Sequence, residues 1–264
     1  MHDGHHSGGM MLIRRLGNYA RLTPEDEAAL QQMLALPIRL AHARRDIIAE
    51  GAVPRAVFLI VSGWACQFKT LEDGRRQIVG FLLPGDSCDL NNLVLRRMDH
   101  SIGALTDVRY MEIPGEAIQR LTRDHPRIGK ALWWQMLVHL SVQREWTTNL
   151  GQRNAMERLG SLLCELALRL RDVGLSNGEC YDLPLTQTDL ADATGLTSVH
   201  INRTLQQLRA SGLISLSGRV LRIPNFAALQ EASLFAPDYL HRAQREARQS
   251  HGLAGAGVAD HADQ

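Results

Sequence analysis

The side chains best suited to chemistry lie on one face of a helix predicted between Thr197 and Gly212, residues that can cap its two ends. Helical spacing places five residues on this face: Ser198, Val199, Asn202, Arg203 and Gln206. The hydroxyl, amide and guanidinium groups among them can make the hydrogen bonds that base edges offer in the major groove of DNA. We therefore expect these five residues to read base pairs.

The opposite face of this helix is aliphatic, and a shorter helix is predicted before it. The inward face carries Leu196, Ile201, Leu205 and Leu208. In the shorter helix, Thr186 and Asp189 have the spacing of a capping box, and Gly195 can adopt the positive φ that a tight turn requires. These features predict a helix-turn-helix within residues 183–214.

A β-hairpin is predicted directly after the second helix. Two short β-prone runs within residues 213–223 flank Ser217 and Gly218, which is the position of the wing in a winged helix. The stretch from Ala193 to Gln230 contains no Asp or Glu, although it contains four arginines.

A locally positive surface of this kind suits the phosphates of DNA. We expect phosphate contacts from Thr186, Gln187, Thr197 and Arg219. The alternative for Arg219 is that it only keeps an edge strand soluble.

Composition restricts the remaining functions. The chain has 264 residues and a formal net charge of +1, which argues against a protein that binds nucleic acid through charge alone. No apolar stretch approaches the roughly 20 residues that cross a bilayer, and the start of the chain has no apolar signal segment. We therefore expect no membrane partner and a cytoplasmic location.

The sequence contains no catalytic or metal-binding motif that we recognise. The four cysteines, Cys66, Cys88, Cys164 and Cys180, form no Cys-x-x-Cys pair and predict neither a disulfide scaffold nor a zinc or iron–sulfur site with local ligands. Neither G-x-S-x-G, nor a phosphate-binding Gly-Lys loop, nor H-E-x-x-H occurs. We expect no enzymatic activity and no bound metal.

Residues from about Ile13 to Ile113 are predicted to be rich in β-strands. Within this range, a helix that begins at Thr23 is predicted before the strands. Short apolar runs alternate with turns at Ser62-Gly63, Asp73-Gly74 and Pro84-Gly85. Strands of this length at close intervals are typical of an antiparallel sandwich or jelly roll.

One long helix is predicted from Asp124 to about Leu150. Its apolar stripe is broad enough to cover a sheet on one side and to meet a partner helix on the other. The stripe comprises Ile128, Leu132, Met136 and Leu140, could extend to Trp146 and Leu150, and is widened by Ala131, Leu137 and Val138. Trp133 and Trp134 cannot share one face, so we expect one of them at a homodimer interface. Packing within the chain is the alternative. Asn154 starts the next helix, which leaves residues 151–154 as a hinge.

A glycine-punctuated β-roll, a long helix and a C-terminal winged helix occur together in few families. Over residues 12–230 the chain resembles the Crp/Fnr family of bacterial transcription factors, which includes cyclic AMP receptors and fumarate-nitrate reductase regulators. The resemblance rests on Glu50-Gly51, Ser62-Gly63, Asp73-Gly74-Arg75, Pro84-Gly85-Asp86 and residues 183–214, of which the last is the most specific. It implies a homodimer on a two-fold-symmetric double-stranded DNA site, which regulates transcription, usually as an activator, and contacts RNA polymerase.

The predicted fold class is therefore α+β: an N-terminal antiparallel β-roll of the jelly-roll, cyclic-nucleotide-binding-like type, a long central dimerisation helix and a C-terminal winged helix-turn-helix. We expect a flexible tail at residues 1–11, the sensory β-roll at 12–123, the dimerisation helix and hinge at 124–152, the DNA-binding domain at 153–230 and a partly disordered tail at 231–264.

The resemblance also assigns base-reading positions. Arg203 matches the arginine that family members commonly use against guanine, and its fork of donors suits the O6 and N7 acceptors. Ser198 and Val199 match two further base-reading positions. Many relatives have Glu where Val199 stands, and valine cannot accept a hydrogen bond from cytosine. We expect the DNA half-site to differ accordingly.

An effector pocket is expected by resemblance at Gly85, Asp86, Cys88, His100 and Ser101. Relatives that bind cyclic AMP end their phosphate cassette on an arginine, whereas a neutral histidine offers one donor and no fixed charge. Relatives with an iron–sulfur cluster carry N-terminal cysteines, and no cysteine precedes Cys66. The sequence thus favours neither cyclic AMP nor an iron–sulfur cluster, and the effector stays unidentified.

Two alternatives stay open. Cys88, His100 and either Asp89 or Asp99 could form a metal, haem or thiol-sensing site, or they could be a core cysteine, a bonded histidine and turn carboxylates. The chain could also be a small-molecule or redox-sensing module whose winged helix serves protein contacts. Salt-sensitive binding to one palindrome over random DNA would favour the transcription regulator.

Overall fold

The structure, a computed structural model, describes residues 3–88, 90 and 96–242, with side chains from residue 9 onward. The helices of this part are α1 (Asp3–Tyr19), α2 (Pro24–Met33), α3 (Gly115–Asp124), α4 (Pro126–Gln152), α5 (Ala155–Asp172), α6 (Gln187–Thr194), α7 (Ser198–Ala210) and α8 (Phe226–Ala232), with a 3-10 turn at Pro237–Leu240. The strands are β1 (Ile38–Ala41), β2 (Asp46–Ile48), β3 (Ala56–Ser62), β4 (Ala65–Thr70), β5 (Arg76–Leu82), β6 (Ser87–Cys88), β7 (Ser101–Ala104), β8 (Val108–Pro114), β9 (Cys180–Asp182), β10 (Ser215–Ser217) and β11 (Val220–Arg222).

Two antiparallel four-stranded sheets form the N-terminal sandwich. The first sheet has the order β1-β8-β3-β6 and the second has the order β2-β7-β4-β5. Side chains from both sheets meet in one core, which includes Phe58, Ile60, Leu82 and Ile102. A small three-stranded sheet, β10-β11-β9, belongs to the C-terminal winged helix. The predicted α+β class is confirmed.

Strand β3 is buried on both of its faces. Phe58 and Ile60 point into the core between the sheets, whereas Val57, Leu59 and Val61 join a second core beneath the helices. Successive side chains of a strand face opposite sides, so burial on both sides requires an uninterrupted apolar run. This requirement explains why residues 57–61 show no polar alternation.

Helix α1 corrects the predicted start of the chain. The flexible tail expected at residues 1–11 is wrong from Asp3 onward, where α1 begins. Leu12 and Leu16 are buried against β3, and Gly9 lies against Leu34, the residue that follows α2. Packing of this helix on the first sheet overrides the poor helix propensity of its Gly- and His-rich start. The first part of the expected β-roll is therefore helical.

Helix α4 has two apolar faces. The buried face carries Ile128, Ala131, Gln135, Val138, Val142 and Trp146, and the exposed face carries Trp133, Met136, Leu137 and Leu140. The broad stripe predicted from the sequence is thus divided into a side that the protein core covers and a side that is exposed in the single chain. The helix also begins at Pro126, not Asp124, because Asp124 is the last residue of α3 and His125 separates the two helices. None of the described helices has both the length and the hydropathy of a membrane span.

One apolar core crosses from the sandwich into the C-terminal part. Ile78 and Phe81 of β5 pack with Trp146 of α4, and the same core continues through α5 and the winged helix. The chain beyond residue 230 is not a tail as far as residue 242, because α8 and the 3-10 turn after it are packed, with Leu229 and Leu240 buried. The remainder of the predicted tail, residues 243–264, lies outside the described residues.

A buried ion network ties these parts together. The carboxylate of Asp86, fully buried after β5, lies 2.8 Å from Arg15 of α1 and 2.9 Å from Arg169 of α5. Arg169 also donates to the Phe81 carbonyl at 2.8 Å and to Glu165 at 3.2 Å. Burial alone would raise the pKa of Asp86, but the two arginines outweigh it and the pKa is lowered.

We predict that Asp86→Ala costs about 3–5 kcal/mol of unfolding free energy, because it leaves the buried Arg15 without its counter-charge and removes one of the two carboxylates that pair with Arg169. Urea denaturation measures the loss. The contribution of Asp86 is present above the usual aspartate pKa and disappears as pH falls through its lowered folded value. The matched control is Glu116→Ala, which removes an exposed partner of Arg120 and should cost at most about 0.5 kcal/mol. Equal losses in the two variants would contradict the network's role.

Candidate DNA-binding surface and effector cleft

The helix-turn-helix is built by its caps. Thr186 accepts a hydrogen bond from the Asp189 N–H at 3.1 Å, and the Thr186 N–H donates to the Asp189 carboxylate at 2.9 Å, which completes a capping box on α6. Gly195 then takes a left-handed φ of 65°, and Thr197 caps α7 by accepting from the His200 N–H. The predicted helix-turn-helix and its capping residues are confirmed.

Helix α7 separates its faces as the spacing predicted. Ile201, Leu205 and Leu208 are buried in the core. Asn202, Arg203 and Gln206 are exposed, Val199 is 80% exposed and Ser198 is half-buried. Within the part of the chain that the structure describes, no carboxylate pairs with Arg203. The guanidinium is therefore open to a ligand.

The wing consists of β10 and β11, joined by a turn in which Gly218 has a φ of 59°. Strand β9 adds a third strand, which the sequence reading missed. Its neighbourhood supplies acids to the wing: Arg219 lies 3.2 Å from Asp182, and Arg222 lies 3.4 Å from Glu179. Both acids precede residue 193, so they lie outside the acid-free stretch from Ala193 to Gln230 that predicted a positive surface. Both pairs are more than half exposed, so they are weak.

The residues predicted to contact phosphate lie near the starts of the two helices and on the wing. Gln187 is the first residue of α6, with Thr186 before it, and both are exposed, as are Thr197 and Arg219. The Thr186 hydroxyl also donates to the Asp189 carboxylate at 2.6 Å. Helix N-termini present unpaired N–H groups that suit anions. The arrangement can therefore receive a phosphate backbone.

A cleft of about 600 Å³ separates the second sheet from α4. Its polar lining includes Gln67, Lys69, Asp99 and His100. The α4 side of the cleft is lined by Trp133, Met136, Leu137 and Leu140, with His139 and Gln143. His100 is held between two partners, because its Nδ1 lies 2.7 Å from Asp99 and its Nε2 lies 3.1 Å from Gln67. Hydrogen bonding to His100 lowers the pKa of Asp99. Lys69 is also engaged, with Glu50 at 2.6 Å.

The predicted effector pocket is therefore corrected: of its five residues, His100 alone lines this cleft. Gly85 sits in a tight turn against Met11 of α1, and Asp86 is held in the ion network. Cys88 is buried between the sheets, and the Ser101 hydroxyl accepts from the Glu50 N–H at 2.9 Å. Gly85 and Asp86 lie in the turn after β5, outside any strand. Cys88 and Ser101 lie in strands, where successive side chains face opposite sides of the sheet, and theirs do not line the cleft.

The cleft does not fit a cyclic nucleotide's phosphate, because no arginine lines it among the described residues. Nor does any group of three His, Cys, Asp or Glu side chains in that same part of the chain have the arrangement of a metal site. Asp89 lies outside the described residues. Burial raises the pKa of the Cys66 and Cys164 thiols to about 12 in each case, so neither is a reactive thiolate.

Two family models match the two halves of this architecture. Residues 39–125 match the cyclic nucleotide-binding domain, and residues 157–232 match the Crp-like helix-turn-helix domain. The first range covers the sandwich and the sheet side of the cleft, and the second covers α6, α7 and the wing.

Curated relatives cover most of the chain. The chain is 33% identical over 233 residues to the transcriptional activator protein FnrL of Cereibacter sphaeroides, covering 86% of this chain and 91% of that protein. It is also 33% identical over 216 residues to the nitrogen fixation regulation protein FixK of Azorhizobium caulinodans, covering 80% and 86%. The solved structure of FixK2 from Bradyrhizobium japonicum superposes with a TM-score of 0.68 at 26% identity, covering 76% of this chain and 98% of that one.

We predict that Gly195→Ala destabilises the fold by about 1–2 kcal/mol, because the turn requires a left-handed φ that a Cβ disfavours. The new Cβ would also lie 3.3 Å from Leu150. Gly151→Ala is the control: Gly151 is helical with open space around it, so alanine there should stabilise by about 0.5–1 kcal/mol. Thermal and urea unfolding measure both variants, and stabilisation by Gly195→Ala would contradict the assigned turn.

Proposed function

This chain belongs to the Crp/Fnr family of DNA-binding transcription regulators, and from that premise we propose that it acts as a homodimer that activates transcription at a two-fold-symmetric DNA site. Activation is supported by the names of its relatives. We further propose contact with RNA polymerase and action in the cytoplasm, and we assign no catalytic role to the chain.

The observation that carries this proposal is the division of α7 into two faces. Its aliphatic side is buried in the core, so the helix is rigidly anchored, and its polar side projects from the protein. A projecting helix of this shape fits the major groove, which is wide enough to admit one helix. The known helix-turn-helix dimers, which include a member of this family, bind half-sites about 10 to 10.5 base pairs apart.

Each side chain on this face has a suitable base partner. We assign Arg203 to the O6 and N7 acceptors of guanine, because its fork donates two hydrogen bonds at once. Asn202 and Gln206 carry the amides that recognise adenine, and Ser198 can donate to or accept from either partner. Val199 has no polar atom, so we assign it to a thymine methyl group.

The DNA backbone would be held on both sides of the reading helix. Gln187 at the start of α6, Thr197 at the start of α7 and Arg219 on the wing are exposed and can donate hydrogen bonds to phosphates. Thr186 is exposed beside Gln187, but its N–H and its hydroxyl both donate to Asp189, so its hydroxyl would have to leave that carboxylate to reach a phosphate. The weak pair between Arg219 and Asp182 would open when a phosphate replaces the carboxylate.

Dimerisation is supported by the exposed apolar face of α4. Trp133, Met136, Leu137 and Leu140 are spaced as i, i+3, i+4 and i+7, which is the pattern of a helix that packs along a second helix. Trp133 is 67% exposed in the single chain, whereas its neighbour Trp134 packs internally against His241. We therefore propose that two copies of α4 associate through this face, and that the DNA-binding domain begins after it at Arg153.

We predict that Arg203→Ala weakens binding to the chain's own selected DNA site by about 1–3 kcal/mol and relaxes selection at one base pair of each half-site. Fluorescence anisotropy on matched and single-base-substituted duplexes measures both effects. Arg209→Ala is the control, because Arg209 is exposed at the far end of α7 and should leave base selection unchanged. Equal weakening on specific and random duplexes would contradict base reading by Arg203.

We predict that the double substitution Leu137→Glu, Leu140→Glu converts a dimer of the 29.4 kDa chain into a monomer, because four like charges would meet at the helix pair. Light scattering after gel filtration gives the mass. Leu71→Glu, at an equally exposed leucine outside α4, should remain dimeric. A wild-type protein that is monomeric, or a double variant that stays dimeric, would refute this interface.

A further inference from the structure

The helix-turn-helix contacts the sensory sandwich through one bidentate ion pair. The guanidinium of Arg44, in the loop between β1 and β2, donates to both oxygens of the Asp189 carboxylate in α6, at 2.6 and 3.0 Å. Asp189 is 1% exposed and Arg44 is half-exposed. A fork-to-carboxylate contact of this kind fixes orientation as well as distance.

Two further contacts join the same surfaces. Arg76 of β5 lies 3.8 Å from Asp192 of α6, and it also stacks over the ring of Phe68 at 4.2 Å. The Gln77 amide donates to the Ala193 carbonyl at 3.5 Å. These contacts are long compared with those of Arg44. The Arg44 pair is therefore the best-formed polar contact between α6 and the sandwich.

The backbone of Arg44 is held in an unusual conformation. Its φ is 65°, which is uncommon for a residue with a side chain and costs energy unless neighbouring contacts enforce it. The Arg44 N–H donates to the Ala104 carbonyl at 2.8 Å, and the Ala104 N–H donates to the Arg45 carbonyl at 2.8 Å. The loop is thus pinned to the end of β7, the strand that begins directly after His100 of the cleft.

Asp189 serves two structures at once. Asp189 is the third residue of α6 and completes the capping box at the start of this helix. The carboxylate that binds Arg44 therefore also accepts hydrogen bonds from the Thr186 N–H and the Thr186 hydroxyl. Burial would raise the pKa of Asp189, but the hydrogen bonds from Arg44 and Thr186 outweigh it and the pKa is lowered. A displacement of Arg44 would therefore act directly on the start of the helix that carries the turn and α7.

We propose that Arg44 is a positioning residue for DNA reading: by holding Asp189 it fixes α6, and through the turn α7, relative to the sensory sandwich. This inference rests on the proposed function. A fixed orientation of the DNA-binding domains matters most when the two domains of a dimer must bind two half-sites at the same time. Loss of the contact would loosen α6 and the turn on a domain that the shared apolar core still holds, and ordering them again on DNA would weaken binding.

The test compares full-length Arg44→Ala with full-length Arg45→Ala. Arg45 is the neighbouring exposed arginine, so its removal subtracts the same charge, and its side chain has no ion pair with the described residues. Both proteins are titrated onto the selected palindrome and onto a duplex with one half-site scrambled, over a range of salt concentrations. We expect Arg44→Ala to bind the palindrome about tenfold more weakly, with a smaller loss on the scrambled duplex, whereas Arg45→Ala keeps the wild-type preference.

The salt dependence separates positioning from direct contact. If Arg44 acts through Asp189, the slope of log K against log salt stays unchanged in Arg44→Ala. A slope shallower by about one, with equal loss on both duplexes, would show that Arg44 contacts a phosphate and would overturn the proposal. Unchanged or tighter binding by Arg44→Ala would overturn it too.

A second variant guards against loss of folding. Asp189→Asn removes the charge but keeps an oxygen for the Thr186 cap, so the helix should still form, as checked by circular dichroism. The double variant Arg44→Ala, Asp189→Asn should bind the palindrome no more weakly than whichever single variant has the lower affinity. If the losses in binding free energy of the two single variants add up in the double variant, the proposal is overturned. If wild type shows no preference for a palindrome, the proposed function fails. If wild type prefers it and Arg44→Ala matches Arg45→Ala, only the positioning role fails.

Discussion

Burial of one side of α7 is the constraint on which the rest of the structure depends. Ile201 and Leu208 are almost completely enclosed, so the helix cannot rotate without exposing them to water. Its opposite side must then project outward, and that side carries Arg203. Thr197 caps the start of α7, and the left-handed turn at Gly195 ends α6 just before it. A simple hydrophobic requirement therefore determines which side chains a DNA groove would meet.

The winged helix-turn-helix is packed firmly against the sandwich. The apolar core around Phe81 and Trp146 continues into α5, and Asp86 holds Arg169 of α5 from within the sandwich. The cleft and a smaller cavity beside Arg169 share lining residues, Gln67 and His139 among them. A ligand in the cleft would therefore be separated by one layer of side chains from Arg169, which holds the C-terminal domain on the sandwich. A sensory site placed here is well situated to influence DNA binding.

Local patterns allowed the winged helix to be predicted, whereas contacts between distant segments could not be. Capping boxes, turn glycines and helical spacing all act within a few residues, so α6, α7 and the hairpin could be predicted. The cleft arises because β4 pairs with β7 and brings Gln67 next to His100, a register that no local signal reveals. The pairing of Arg44 with Asp189 joins residues 145 positions apart. The two faces of α4 were merged because helical spacing alone does not say which apolar residues a sheet covers.

Selection of duplexes from a random pool by the full-length protein tests the central claim most directly. If the exposed face of α7 reads bases in a dimer, the enriched sequences will be two-fold symmetric, with half-sites about 10 to 10.5 base pairs apart and a guanine at one position of each half-site. Enrichment of no common sequence, or binding governed by duplex length and salt alone, would contradict the assignment of this helix as the DNA reader.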